Sequence, residues 1–305
     1  MFLLGIFLLL VFNVFGFRGK TIFVFVYFFG IGWFGLKVDL KLLERIVREV
    51  RFRVRPLVGK VEAWRVMGAG AGGDQTRYID LVAEQTVFDF LKENGVKCFV
   101  VGEETGFREV LGGNPNLYFI VDSLDGTYNV LHEIPFNAIS LAVADKPKLS
   151  AVKLGVVASL TDEMFFSAEK GLGAKLNGNP IKPSKEEKIE DALVSVSFTP
   201  NKDFLRRVSG VLENVVHVRH FGANALEVCF VACGRLDAVI DLRGKLRVTD
   251  VAAASLILRE AGGFIVDERG FPLDSPADSP EKKVSMVAAG NKKLLDKLLS
   301  LLGKP

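Results

Sequence analysis

Two short apolar runs, residues 98–101 and 117–121, both stop on acids. The first runs into Gly102-Glu103-Glu104 and the second into Asp122-Ser123-Leu124-Asp125-Gly126-Thr127. Short apolar runs bounded by polar turns read as buried strands. Acids at the ends of such strands converge on the crevice where an α/β protein holds its ligands. Two further acids stand at the heads of helical patterns, Asp80 before 80–93 and Asp250 before 251–261. Taken singly, each is an ordinary helix cap, and Glu103-Glu104 is an ordinary solvated pair. Taken together, they are a charge cluster whose members repel one another unless a cation neutralises them.

The chemistry of that cation follows from what the chain lacks. Three histidines and three cysteines (Cys98, Cys229, Cys233) form no HxH, HExxH or CxxC pattern, so the usual zinc sites are excluded. Oxygen ligands alone suit Mg²⁺, which retains waters and works with phosphate substrates. Net charge is only +3, from 39 basic and 36 acidic residues. That is too even to argue for nucleic acid.

The rest of the pattern is α/β. Residues 39–58 carry a helical stripe of Leu42, Leu43, Ile46, Val47 and Val50, with Asp39 as N-cap. The glycine-rich stretch 68–73 reads as a flexible loop. Strands are expected at 138–144, 154–160 and 164–168, consistent with an antiparallel sheet. A charged stretch at 182–188 is the best boundary between a first half (37–185) and a second half (186–305). In the second half, strands near 193–198, 215–219 and 236–241 alternate with helices at 203–212, 224–234 and 251–261, and a last helix covers 292–302.

Residues 1–36 stand apart. They hold ten of the 25 phenylalanines and only two charges, Arg18 and Lys20, between apolar runs of 17 and 16 residues. Each run is at or below the length that spans a bilayer. No basic residues precede the first run, which disfavours a signal peptide. A hairpin anchor, a single anchor and a wrongly chosen start codon all remain open. The first two would put the protein at a membrane; the third leaves it cytoplasmic.

Three stretches resemble the signatures of the inositol monophosphatase family: Gly102-Glu103-Glu104-Thr105, residues 122–127, and Val248-Thr249-Asp250-Val251-Ala252-Ala253. The run Asp125-Gly126-Thr127-Tyr128-Asn129, with Ile134-Pro135 and residues 241–247, is most similar to archaeal members acting on inositol monophosphate and fructose 1,6-bisphosphate. The resemblance covers about 39–302. It implies a layered αβαβα sugar-phosphatase fold with two sheets, in a lithium-sensitive homodimer. It further implies a Mg²⁺-dependent phosphate monoester hydrolase using two or three ions and direct attack by a metal-activated water. Glu103, Asp122, Asp125, Asp250 and the Leu124 carbonyl would be ligands, with Glu103 also catalytic. Thr127 and Asp80 would activate the water, and the Gly126 and Thr127 amides would hold the phosphate. Gly222 and Ala223 fall where the family contacts substrate. Ser123 and Thr249 replace the family's usual proline and tryptophan, without removing a ligand. The basic residues Arg243, Lys245 and Arg247 suit a second phosphate or sugar hydroxyls.

Haloacid dehalogenase-type phosphatases carry Asp-x-Asp, whereas here the spacing is Asp-x-x-Asp, which disfavours an aspartyl-phosphate. A 3′(2′),5′-bisphosphate nucleotidase would need an adenine pocket. A non-catalytic Mg²⁺- or Li⁺-binding module would have no use for the Asp80–Thr127 pair.

Overall fold

The computed structural model describes residues 38–113 and 115–303. The expectations for 1–36 lie outside the described residues. Residues 38–305 cluster as one unit.

The chain enters through α1 (Leu40–Val54), capped by Asp39, whose side chain accepts from Leu42 N at 3.0 Å. The helix ends four residues before the expected 58, because Pro56 follows and the chain tightens into a 3₁₀ turn. The glycine stretch is not an open loop. It covers the end of β1 (Val66–Ala69) and most of the turn that joins it in a hairpin to β2 (Gln75–Arg77). Then come α2 (Tyr78–Glu93), β3 (Cys98–Gly102), β4 (Gly106–Val110), β5 (Tyr118–Asp125), the short α3 (Thr127–Leu131), β6 (Ala138–Ala144), β7 (Val152–Ser159), β8 (Phe165–Glu169), β9 (Ala174–Leu176) and β10 (Asn179–Pro180). The eight strands from β3 to β10 form one sheet in the order β10-β9-β8-β7-β6-β5-β3-β4. Every neighbouring pair is antiparallel except β3–β5, which is parallel. That exception puts the C-terminal ends of β3 and β5 side by side.

The stretch 182–188 runs between the last strand of this sheet and the first of the next. There follow β11 (Leu193–Val196), α4 (Lys202–Leu212), β12 (His217–Arg219), α5 (Asn224–Ala232), β13 (Ala238–Arg247), α6 (Val248–Ala261), β14 (Phe264–Val266), β15 (Lys283–Ala289) and α7 (Lys292–Leu301). The five strands pair as β12-β11-β13-β15-β14.

Three apolar cores glue five layers. One packs α1 and α2 on the large sheet. The second fills the space between the two sheets around α5 and α6. The third packs α4 and α7 on the outer face of the small sheet. The result is the αβαβα arrangement. Its central helix, α6, is buried on nearly all sides, as its run of alanines requires. A Cβ on Gly155 of β7 would stand 3.0 Å from the Ala253 carbonyl of α6, so glycine there permits the close approach of helix to sheet.

Candidate active site

At the end of β5 the register against β6 slips by one. Asp122 faces Ser140 and Asp125 faces Ala138, three steps against two. In a regular strand, residues three apart point to opposite faces. The extra residue is a bulge, and Asp125 ends close enough to Asp122 for their charges to interact. Gly126 then turns the chain with φ +85°. A Cβ there would meet Ala223 Cβ at 3.0 Å and the Phe136 carbonyl at 3.1 Å, so both the conformation and the space demand glycine.

Asp80 and Asp250 are not the N-cap residues of their helices. Each is the third helical residue, accepting from the backbone N–H of the arginine before the helix: Arg77 N to Asp80 at 2.8 Å, Arg247 N to Asp250 at 3.0 Å. The two helices present matched Arg-x-x-Asp starts, and in each case one carboxylate oxygen is committed to the helix end.

Carboxylate oxygens of Glu103, Asp122 and Asp250 lie within 4.8 Å of one another. Asp122 also accepts from Leu124 N at 3.1 Å. Asp125 is tied to the start of α5 by Ala225 N (2.8 Å) and Leu226 N (3.3 Å). Burial, and then their neighbours' charges, push Glu103, Asp122 and Asp125 well above the usual carboxylate range. Burial also raises Asp250, against the pull of Arg247. The donor set is all oxygen, buried and mutually repelling, and this fits a hard divalent cation. Arg247 supplies part of the missing positive charge, pairing with Glu103 at 2.7 Å and with Asp74. Burial works against its charge, but the surrounding carboxylates outweigh it and raise its pKa.

Beside this cluster, Thr127 Oγ1 donates to Asp80 Oδ1 at 2.9 Å and lies 3.2 Å from the Leu124 carbonyl. Burial lifts Asp80 to about 6, although the Arg77 N–H and the Thr127 hydroxyl favour its charged form.

The residues expected around the substrate do not form one basic cluster. Arg243 makes a two-pronged ion pair with the buried Asp241, with contacts of 2.6 and 3.0 Å. Lys245 is exposed on the irregular stretch of β13. Arg247 sits among the acids. The Gly222 amide is already taken by Glu227 Oε1 at 2.9 Å, and Ala223 is fully buried against Gly126.

Glu84 is missed by sequence reasoning. It is 1% exposed, and its carboxylate receives Glu104 N (2.9 Å), Thr105 N (2.7 Å) and Thr105 Oγ1 (2.5 Å). It therefore holds the turn that carries Glu103. The usable signal is its place one helical turn after Asp80, on a face otherwise made of Ile79, Ala83, Val87 and Leu91. A Cβ on Gly102 would stand 2.3 Å from Glu84 Oε1. Gly102→Ala is expected to destabilise the fold by about 1–3 kcal/mol, because the buried carboxylate must give up hydrogen bonds. Urea unfolding checks this; an unchanged midpoint would show that the turn adapts freely.

The inositol monophosphatase family model matches residues 41–304. The fructose-1,6-bisphosphatase/inositol-1-monophosphatase of Methanothermobacter thermautotrophicus is 36% identical over 266 residues, covering 85% of this chain and 94% of that protein. The fructose-1,6-bisphosphatase of Pyrococcus furiosus is 34% identical over 259 residues, with coverages of 84% and 95%. A crystal structure of an inositol monophosphatase–fructose 1,6-bisphosphatase superposes with a TM-score of 0.78 at 30% identity, covering 88% of this chain and all of that one. Five layers, clustered strand-end acids and a match running almost the whole length of the described residues agree: the chain belongs to the inositol monophosphatase family and is a phosphoric monoester hydrolase.

Proposed function

We propose that the protein hydrolyses inositol 1-phosphate and fructose 1,6-bisphosphate with Mg²⁺ held by Glu103, Asp122, Asp125, Asp250 and the Leu124 carbonyl. The observation that carries this reading is the Thr127–Asp80 hydrogen bond beside the triad of acids. A site that only stored a cation would gain nothing from a hydroxyl backed by a carboxylate. When bound, the ions would neutralise charge on the phosphoryl and leaving oxygens and make the attacking water more acidic.

The chain's own groups do the rest. Thr127 donates its proton toward Asp80 and leaves a lone pair to orient the water. As the water oxygen bonds to phosphorus, its proton passes through the Thr127 hydroxyl to Asp80. The ester P–O bond breaks, and its electron pair leaves with the alcohol oxygen, which takes a proton from solvent. The Gly126 and Thr127 amides hold the phosphate. Lys245, exposed on the strand that also carries Arg243 and Arg247, suits the distal phosphate of a bisphosphate.

Because Asp80 has to be ionised, kcat/KM is expected to rise with pH through about 6 and then level off. Asp80→Asn should remove that limb along with most of the activity. A pH profile of the wild type that is flat between 5 and about 7 would contradict the role of Asp80.

The proposal is tested by phosphate release from inositol 1-phosphate, fructose 1,6-bisphosphate and a 3′,5′-bisphosphate nucleotide, with and without Mg²⁺. Preference for the nucleotide would replace the proposed substrates. All the assigned residues lie within the unit 38–305, so a chain begun at Val38 is expected to keep full kcat/KM. Loss of activity or aggregation of that shortened form would make residues 1–37 part of the working fold. The protein is further proposed to be a homodimer, which mass measurement in solution decides. Among the described residues no helix is long and apolar enough to cross a membrane. Cytoplasmic residence is proposed from the free thiols of Cys98, Cys229 and Cys233.

A further inference from the structure

A cavity of about 510 Å³ opens between α4, β13, β15 and the turn at 267–275. Its acids are all engaged. Asp267 accepts from Arg269 N and Phe271 N, both at 2.9 Å. Glu268 pairs with Arg207 at 2.9 Å. Asp274 pairs with Lys148 at 2.6 Å and accepts from Ser150 N at 3.1 Å. Its cations keep donors in reserve. Arg207 Nε is buried with no partner. Arg269 makes no ion pair among the described residues, and Lys283 Nζ donates to the Gly72 carbonyl at 2.8 Å while its charge also acts on Asp74, Asp250 and Glu103. Ser285 adds a hydroxyl to the wall.

Two of the three carboxylates are neutralised by ion pairs and the third is held by backbone N–H groups, so the cationic donors left over select an anion. Guanidinium groups match the tetrahedral oxygens of a phosphoryl group. The cavity is in the size range of small-molecule sites and is larger than a bare oxyanion needs. We propose that this cavity binds the phosphoryl group of a small phosphorylated metabolite, at a site separate from the reacting centre.

The site is wired to Glu103. Lys283 holds the Gly72 carbonyl, and Gly72 N donates to the Glu103 carbonyl at 2.9 Å. A phosphoryl group that draws Lys283 away frees the hairpin turn lying against Glu103. Anion binding and cation binding therefore influence each other, and by linkage the effect is reciprocal.

Calorimetric titration of the full chain with inorganic phosphate and with glucose 6-phosphate, in chelator and again in Mg²⁺, tests this. In chelator the catalytic acids repel a dianion, so binding there reports the cavity. One site is expected without Mg²⁺ and two with it. Arg269→Glu should weaken the chelator-resistant site at least about tenfold while leaving basal turnover unchanged, and Lys283→Gln should weaken it as well. Tighter binding of glucose 6-phosphate than of phosphate assigns the occupant to a metabolite; equal binding assigns it to free phosphate. Absence of binding in chelator, or binding that Arg269→Glu leaves untouched, overturns the proposal.

Discussion

Asp122→Asn is expected to cut kcat by on the order of 10³-fold, about 4 kcal/mol of barrier, and to raise the melting temperature of the metal-free protein. The two effects have one cause. Asp122 is 2% exposed and lies against Glu103 and Asp250 in the acid triad. Burial and the charges of its neighbours already hold its pKa well above the usual range. Without a cation, its ionisation costs stability, and asparagine of nearly the same shape removes that cost. With a cation, the same charge is proposed to act as a ligand. The substitution should therefore shrink the rise in melting temperature that Mg²⁺ produces in the wild type. Calorimetry with and without Mg²⁺ reads both signs at once. A variant that keeps its Mg²⁺-induced shift and its turnover would move the metal site away from this cluster.

Thr127→Ala should lower kcat by about 10²–10³-fold and change KM by little. The hydroxyl sits 2.9 Å from Asp80 Oδ1 and belongs to the first residue of α3. Its removal would leave Asp80 without contact to the water, whereas the backbone amides proposed to hold the phosphate stay in place. Thr127→Ser keeps the hydroxyl and should recover most of the rate. An effect confined to KM would make Thr127 a substrate contact and leave the proton without a route.

The acids were legible because their surroundings are simple. Apolar strands that end in carboxylates show themselves in the one-dimensional pattern, and so do the stripe of α1 and the strand at 138–144. The partners of the basic residues were not. Arg243, Lys245 and Arg247 sit at every second position, which in a regular strand points them to one side. The irregular stretch of β13 between Asp241 and Leu246 breaks that rule. Arg243 turns back onto Asp241, and Arg247 reaches Glu103 and Asp74. Such pairings depend on partners far away in sequence, which local spacing does not reveal. Glu84 escaped notice for the same reason: its three donors come from a turn about twenty residues later.

The sequence by itself determined the kind of chemistry. Residue types decide which atoms can bind a cation, and a chain with so few histidines and cysteines leaves oxygen. It also determined most elements, because helix and strand periods are local properties of the apolar pattern. Only the tertiary structure decided which acids meet. The parallel pairing of β3 with β5 sets Glu103 beside Asp122. A one-residue bulge leaves Asp125 within reach of the charge of Asp122. The burial of α6 between two sheets delivers Asp250 to them. Each of these depends on long-range packing, whose free energy is shared among many distant residues and is written in no single stretch of the chain.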